Sequence, residues 1–104
     1  MEIEGSYIQC ADGFDKDDIT LEDVDRALKA LQNMDDEHGA FWVSVYGAET
    51  EEMVLEIYKS LKLFGNFGNK SLAIQLTSFE KSKPYFNLLL AGEIDKLKER
   101  MNEN

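Results

Sequence analysis

The chain has 104 residues, 43% of them hydrophobic, with one Pro, one Cys and a formal net charge of −10. That length suits a single domain, 1–104, with no room for a second core, and the composition belongs to a folded chain rather than a disordered one. The charge speaks against nonspecific binding to nucleic acid or anionic membrane, which repel it, and suits a basic protein partner, whose association it would steer.

The acid is concentrated in residues 1–56, where sixteen Asp and Glu face only Lys16, Arg26 and Lys29. Residues 57–104 carry eight Lys and Arg against five acids. An acidic surface also keeps a small protein soluble whatever its role. No apolar run approaches the roughly 20 residues of a membrane span, and Met1-Glu2-Ile3-Glu4 is acidic where a secretory signal is basic. The expected compartment is therefore the cytoplasm. Cys10 has no second cysteine to pair with, which agrees with a reducing compartment and with a small buried residue.

In chain order, Ser6–Cys10 reads as an edge or first strand. Asp12-Gly13-Phe14-Asp15-Lys16-Asp17-Asp18 invites comparison with a calcium loop, but counting from Asp12 puts Phe14, Lys16 and Asp17 at positions 3, 5 and 6 and Asp23 at 12, so the template fails. A solvated acidic loop leading into a helix is the better reading, and neither a metal nor another cofactor is expected. The helix is capped by Thr20, carries Glu22 and Asp23 in its first turn, and has Ile19 and Val24 placed as a hydrophobic staple. Leu21, Val24, Ala27, Leu28, Leu31 and Met34 recur at helical spacing and form the face that packs on a sheet. Glu22 with Arg26 and Asp25 with Lys29 are expected as exposed pairs four residues apart.

Asp35-Asp36-Glu37-His38 follows the helix. A carboxylate beside an imidazole can serve acid–base chemistry, yet no nucleophile or metal partner stands nearby, and the acids suit a docking surface for Lys or Arg. Phe41–Tyr46 then alternates Phe41, Val43 and Val45 on an apolar face with Trp42, Ser44 and Tyr46 on the other. Gly47–Glu52, with Glu49, Glu51 and Glu52, forms an acidic hairpin loop before Met53–Tyr58, whose Met53, Leu55 and Ile57 alternate with Val54, Glu56 and Tyr58. Pairing these strands places Trp42, Tyr46 and Tyr58 on one face, either exposed as aromatic anchors of an interface or covered by the last helix or the termini. Leu61–Phe64 reads as the next strand. Phe64-Gly65-Asn66-Phe67-Gly68-Asn69-Lys70 lacks the spacing of a phosphate loop and reads as a turn, followed by Leu72–Leu76. Pro84 belongs in the first turn of a helix beginning near Ser82, with Tyr85, Leu88 and Leu89 on its apolar face. After Gly92 a last helix carries Ile94, Leu97 and Met101.

The resulting order is β-α-β-β-β-β-α-α: an α+β domain with an antiparallel sheet of four or five strands and its helices mainly on one face. This layout, the Leu21–Met34 helix feeding the Phe41–Tyr46 strand, the acidic runs Asp35-Asp36-Glu37 and Glu49–Glu52, and the aromatics Trp42, Tyr46 and Tyr58 resemble the small acidic α+β immunity proteins of bacterial toxin systems. The resemblance implies inhibition by plugging a basic active site rather than catalysis. The acidic residues are expected to steer the partner and the aromatics to anchor it, which gives a partner-binding set of Asp35, Asp36, Glu37, Trp42, Tyr46, Glu49, Glu51, Glu52, Glu56 and Tyr58. Acidic phage proteins that mimic nucleic acid or block host defence look similar. A homodimeric or other structural domain, paired through an edge strand or the Trp42 face, is a third expectation.

Overall fold

Alternating apolar residues build six strands: β1 (Gly5–Cys10), β2 (Asp15–Asp17), β3 (Ala40–Tyr46), β4 (Met53–Tyr58), β5 (Lys62–Phe67) and β6 (Lys70–Gln75). Three helices accompany them: α1 (Leu21–Gln32), α2 (Lys83–Leu90), preceded by a 3₁₀ turn over Glu80–Ser82, and α3 (Ile94–Asn102). The computed structural model describes residues 3–10, 13–34, 39–47, 52–68 and 70–102. Every strand pair is antiparallel, in the spatial order β2-β1-β3-β4-β5-β6. The class is α+β as expected.

Six strands replace the expected four or five, and β1, expected as an edge or first strand, is first in the chain but lies inside the sheet. The additional strand is Asp15–Asp17, which pairs Gln9 with Asp15 and Tyr7 with Asp17 and takes the edge position itself. It is short, and all three of its residues are exposed. Those properties suit an edge strand, because charge and brevity discourage pairing with another chain.

The period of two decides what the sheet buries. Ile8, Phe41, Val43, Val45, Leu55, Ile57, Leu63 and Phe67 point to one side, where they are buried with Val24, Leu28, Leu31, Phe86, Leu89, Leu97 and Met101 of the helices. Phe86 of α2 stacks on Phe41 of β3 at 5.5 Å between ring centroids. Phe86 belongs to the apolar face of α2 together with Tyr85 and Leu89, while Leu88 is only partly buried.

In α1 the expected stripe is buried except at its ends. Leu21 is 41% exposed and Met34 is partly buried. At 100° per residue Leu21 lies at the flank of the stripe, and the first turn leaves it to solvent. Asp25 engages Lys83 of α2 at 2.8 Å rather than serving Lys29. Arg26 lies over the Phe14 ring, 4.9 Å from its centroid.

Asp23 ties α1 to the sheet edge. The Thr20 backbone N–H donates to its Oδ2 at 2.9 Å, and Lys16 of β2 donates to both carboxylate oxygens at 2.9 and 3.0 Å. Hydrogen bonding from the Thr20 backbone, then from Lys16, holds this carboxyl below the usual carboxylate range. Because the folded pKa lies below the unfolded value of about 3.9, the stabilisation is present above that pH and is lost as pH falls through the folded pKa. Asp23→Ala is expected to lower the unfolding free energy at pH 7 by about 1–2 kcal/mol, as loss of a helix-cap contact does. It should also flatten the loss of stability below about pH 4. Urea unfolding of both proteins at neutral and acid pH checks this.

Two turns set the frame of the outer sheet. The β4–β5 turn holds Leu61 at φ 71°, with its N–H donated to the Tyr58 carbonyl at 2.9 Å, so Leu61 belongs to the turn and not to the expected strand. A bulky residue in this conformation is uncommon and costs strain. The expected turn Phe64–Lys70 is instead mostly strand. β5 runs on to Phe67, which pairs with Lys70, and the reversal between them includes Gly68 at φ 68°, a conformation that glycine adopts without strain.

Candidate docking face

With α1, α2 and α3 on one side, the alternate residues of the sheet form a second face that no described helix covers. Its cross-strand rows follow from the register. One row runs Tyr7, Ser44, Val54, Asn66, Ser71, and the next runs Gln9, Trp42, Glu56, Phe64, Ala73. Tyr58 lies opposite Ala40 and Tyr46 opposite Gly5. Tyr46, Tyr58 and Phe64 are 45%, 37% and 38% exposed, whereas Trp42 and Glu56 are half-buried.

Trp42, Tyr46 and Tyr58 thus share the predicted face but do not make a single cluster. Tyr46 is four residues along β3 from Trp42, about 13 Å at strand rise, and its ring lies over Gly5. A Cβ at Gly5 would come 2.2 Å from the Tyr46 hydroxyl oxygen, so glycine there is what lets the ring lie flat on β1. The aromatic contact on this face is between Tyr58 and Phe64, edge to face at 5.5 Å. Phe64 was expected in a strand but not as part of this face, and Asn66 and Ser71, beyond the expected end of that strand, were missed with it.

Carboxylates are set among these rings. Glu52 accepts a hydrogen bond from the Tyr7 hydroxyl, and this holds the phenol above its ordinary pKa. Ser44, beside Tyr7 and completely buried, opposes that shift, and its Oγ has no hydrogen bond of ordinary geometry among the described residues. Hydrogen bonding to Glu56, then burial and the Glu56 charge, likewise raises the Tyr58 phenol. Both phenols therefore remain protonated donors at neutral pH. No family model, curated protein or solved structure matches the chain. What the face can do is therefore read from its own geometry.

Beyond the Glu56–Phe64 pair the surface dips into a depression of about 320 Å³, lined by Val54, Glu56, Tyr58, Phe64, Asn66 and Ser71. Trp42 stands on the other side of Glu56 and does not line it. Asp35, Asp36, Glu37, His38, Glu49 and Glu51 lie outside the described residues. Among the described residues no three His, Cys, Asp or Glu side chains are grouped so as to hold a metal. No described helix is long and apolar enough to cross a membrane.

Proposed function

We propose that this protein is a non-catalytic inhibitor of the immunity type, which docks a basic toxin or effector on the helix-free face of its sheet. The observation that carries this reading is the combination on one face of exposed Tyr46, Tyr58 and Phe64 with Glu52 and Glu56, on a chain of net charge −10. Aromatic anchors supply most of the binding energy at protein interfaces, and the net charge accelerates encounter with a positive partner. The layout likeness to immunity proteins supports the same reading, with the cytoplasm as its place of action. The acidic runs Asp35-Asp36-Glu37 and Glu49–Glu52 add to the negative charge that steers a basic partner.

A second reading has a specific observation behind it. β6 is six residues long and forms the outer edge of the sheet, so a second copy could pair with it and extend the sheet. The two readings part on salt and mass. Capture from native lysate with the tagged protein should retain a basic protein at about 0.05 M salt and release most of it at about 0.5 M, because screening shortens the reach of the charges. Capture of nothing, or a concentration-dependent mass that ignores salt, would overturn the inhibitor reading.

A further inference from the structure

We infer that the depression beside Glu56 is a guanidinium site, which takes an arginine side chain of the docked partner. This rests on the open sheet face being the docking surface and names what that surface recognises. Three kinds of group converge there. Glu56 supplies a carboxylate at one wall, directly opposite Phe64 on the neighbouring strand and two residues from Tyr58 on its own. Tyr58 and Phe64 supply two rings in edge-to-face contact, both exposed on the same side. Asn66 and Ser71, paired across β5 and β6, add an amide oxygen and a hydroxyl at the far wall.

This set matches a planar cation with several donors better than it matches any other common group. A guanidinium presents five N–H donors in a fixed fork, can engage a carboxylate while its edge reaches neutral acceptors, and stacks on aromatic faces. An anion would meet the Glu56 carboxylate. An apolar side chain would leave Glu56, Asn66 and Ser71 without the hydrogen bonds they have in water. Lysine offers a compact, strongly hydrated ammonium that gains less from stacking. Lys62 Nζ stands 6.0 Å from the Phe64 centroid, so the incoming guanidinium must displace that ammonium from the ring rather than add to it. The overall charge of −10 favours the approach of an arginine-bearing surface.

The test is a titration of the full-length ¹⁵N-labelled protein with N-acetyl-arginine amide, and in parallel with N-acetyl-lysine amide. Saturable shift changes are expected at Glu56, Tyr58, Phe64, Asn66 and Ser71, with arginine binding several-fold more tightly than lysine. Glu56→Gln should weaken arginine binding about tenfold, the loss of one charge-assisted contact, while the rest of its spectrum reports an intact fold. Non-saturating shifts scattered over the acidic surface, or an undiminished response in Glu56→Gln, would overturn the site. The docking face is judged separately. If arginine saturates the depression but Tyr58→Ala/Phe64→Ala leaves partner affinity unchanged, the guanidinium site stands and the docking reading falls. If the double variant loses the partner while arginine fails to saturate, the docking reading stands and the guanidinium site falls.

Discussion

Replacing Phe86 by Ala is expected to lower the unfolding free energy by about 3–5 kcal/mol, the usual cost of emptying a large aromatic site in a core. Phe86 is completely buried and stacks on Phe41, with 22° between the ring planes, where α2 crosses β3. Its removal withdraws a ring from both the helix layer and the sheet, and neither can close the gap without breaking other contacts. Phe86→Leu, which retains much of the volume, should cost clearly less. Denaturant unfolding with an unchanged m-value measures the difference. Since a domain of this size has about 5–15 kcal/mol to lose, the alanine variant should be folded but close to its limit. Phe86 lies under the sheet, away from the open face. The affinity of those molecules that are folded should therefore remain that of the original protein, which separates support of the sheet from recognition on it.

The open face should behave in the opposite way. Tyr58→Ala/Phe64→Ala is expected to weaken binding of the captured partner by at least about 30-fold, the equivalent of roughly 2 kcal/mol at a hot spot. The same double variant should lose far less stability than Phe86→Ala, because both rings are more than a third exposed and line solvent in the free protein. Titration calorimetry against the captured partner reads the first effect and denaturant unfolding reads the second. Affinity that survives the double substitution would remove these rings as anchors. The edge-to-face contact means that the two single losses should not add, since each ring also positions the other.

Much of this arrangement is written in the period of the sequence. Strict alternation in Phe41–Tyr46 and Met53–Tyr58 was enough to separate the core side from the Trp42, Tyr46, Glu56 and Tyr58 side, and both strands formed as read. The helical recurrence of Val24, Ala27, Leu28 and Leu31 likewise found its sheet. Asp15–Asp17 could not be read in this way, because it has no apolar residue and is a strand only through its pairing with β1. The second half of β5 was concealed by Gly65 and Asn66, residues that usually punctuate turns, so the expected strand ended at Phe64. In the fold the Phe67 ring occupies the space that a side chain at 65 would need: a Cβ there would come within 2.6 Å of it. The glycine is thus a packing position, and Leu63, Gly65 and Phe67 keep the period of two beneath Phe64 and Asn66. Ending that strand at Phe64 and beginning the next at Leu72 left Asn66 and Ser71, which line the depression beside Glu56, outside the expected strands.

Leu61 shows the converse error. An apolar residue flanked by strand residues reads as part of the strand, whereas the turn that reverses β4 into β5 takes it in a left-handed conformation. Local propensity opposes that conformation, and only the pairing of the two strands around it imposes it.

Partner recognition on the helix-free face is tested most directly by hydroxyl-radical footprinting of the protein alone and in complex with the captured partner. Tyr46, Tyr58 and Phe64 are exposed on that face and Leu21 is exposed on the helix side, so all four should react in the free protein. The predicted result is protection of Tyr46, Tyr58 and Phe64 in the complex with Leu21 unchanged. Protection of Leu21 with the three rings still reactive would contradict the claim and move recognition to the helix layer.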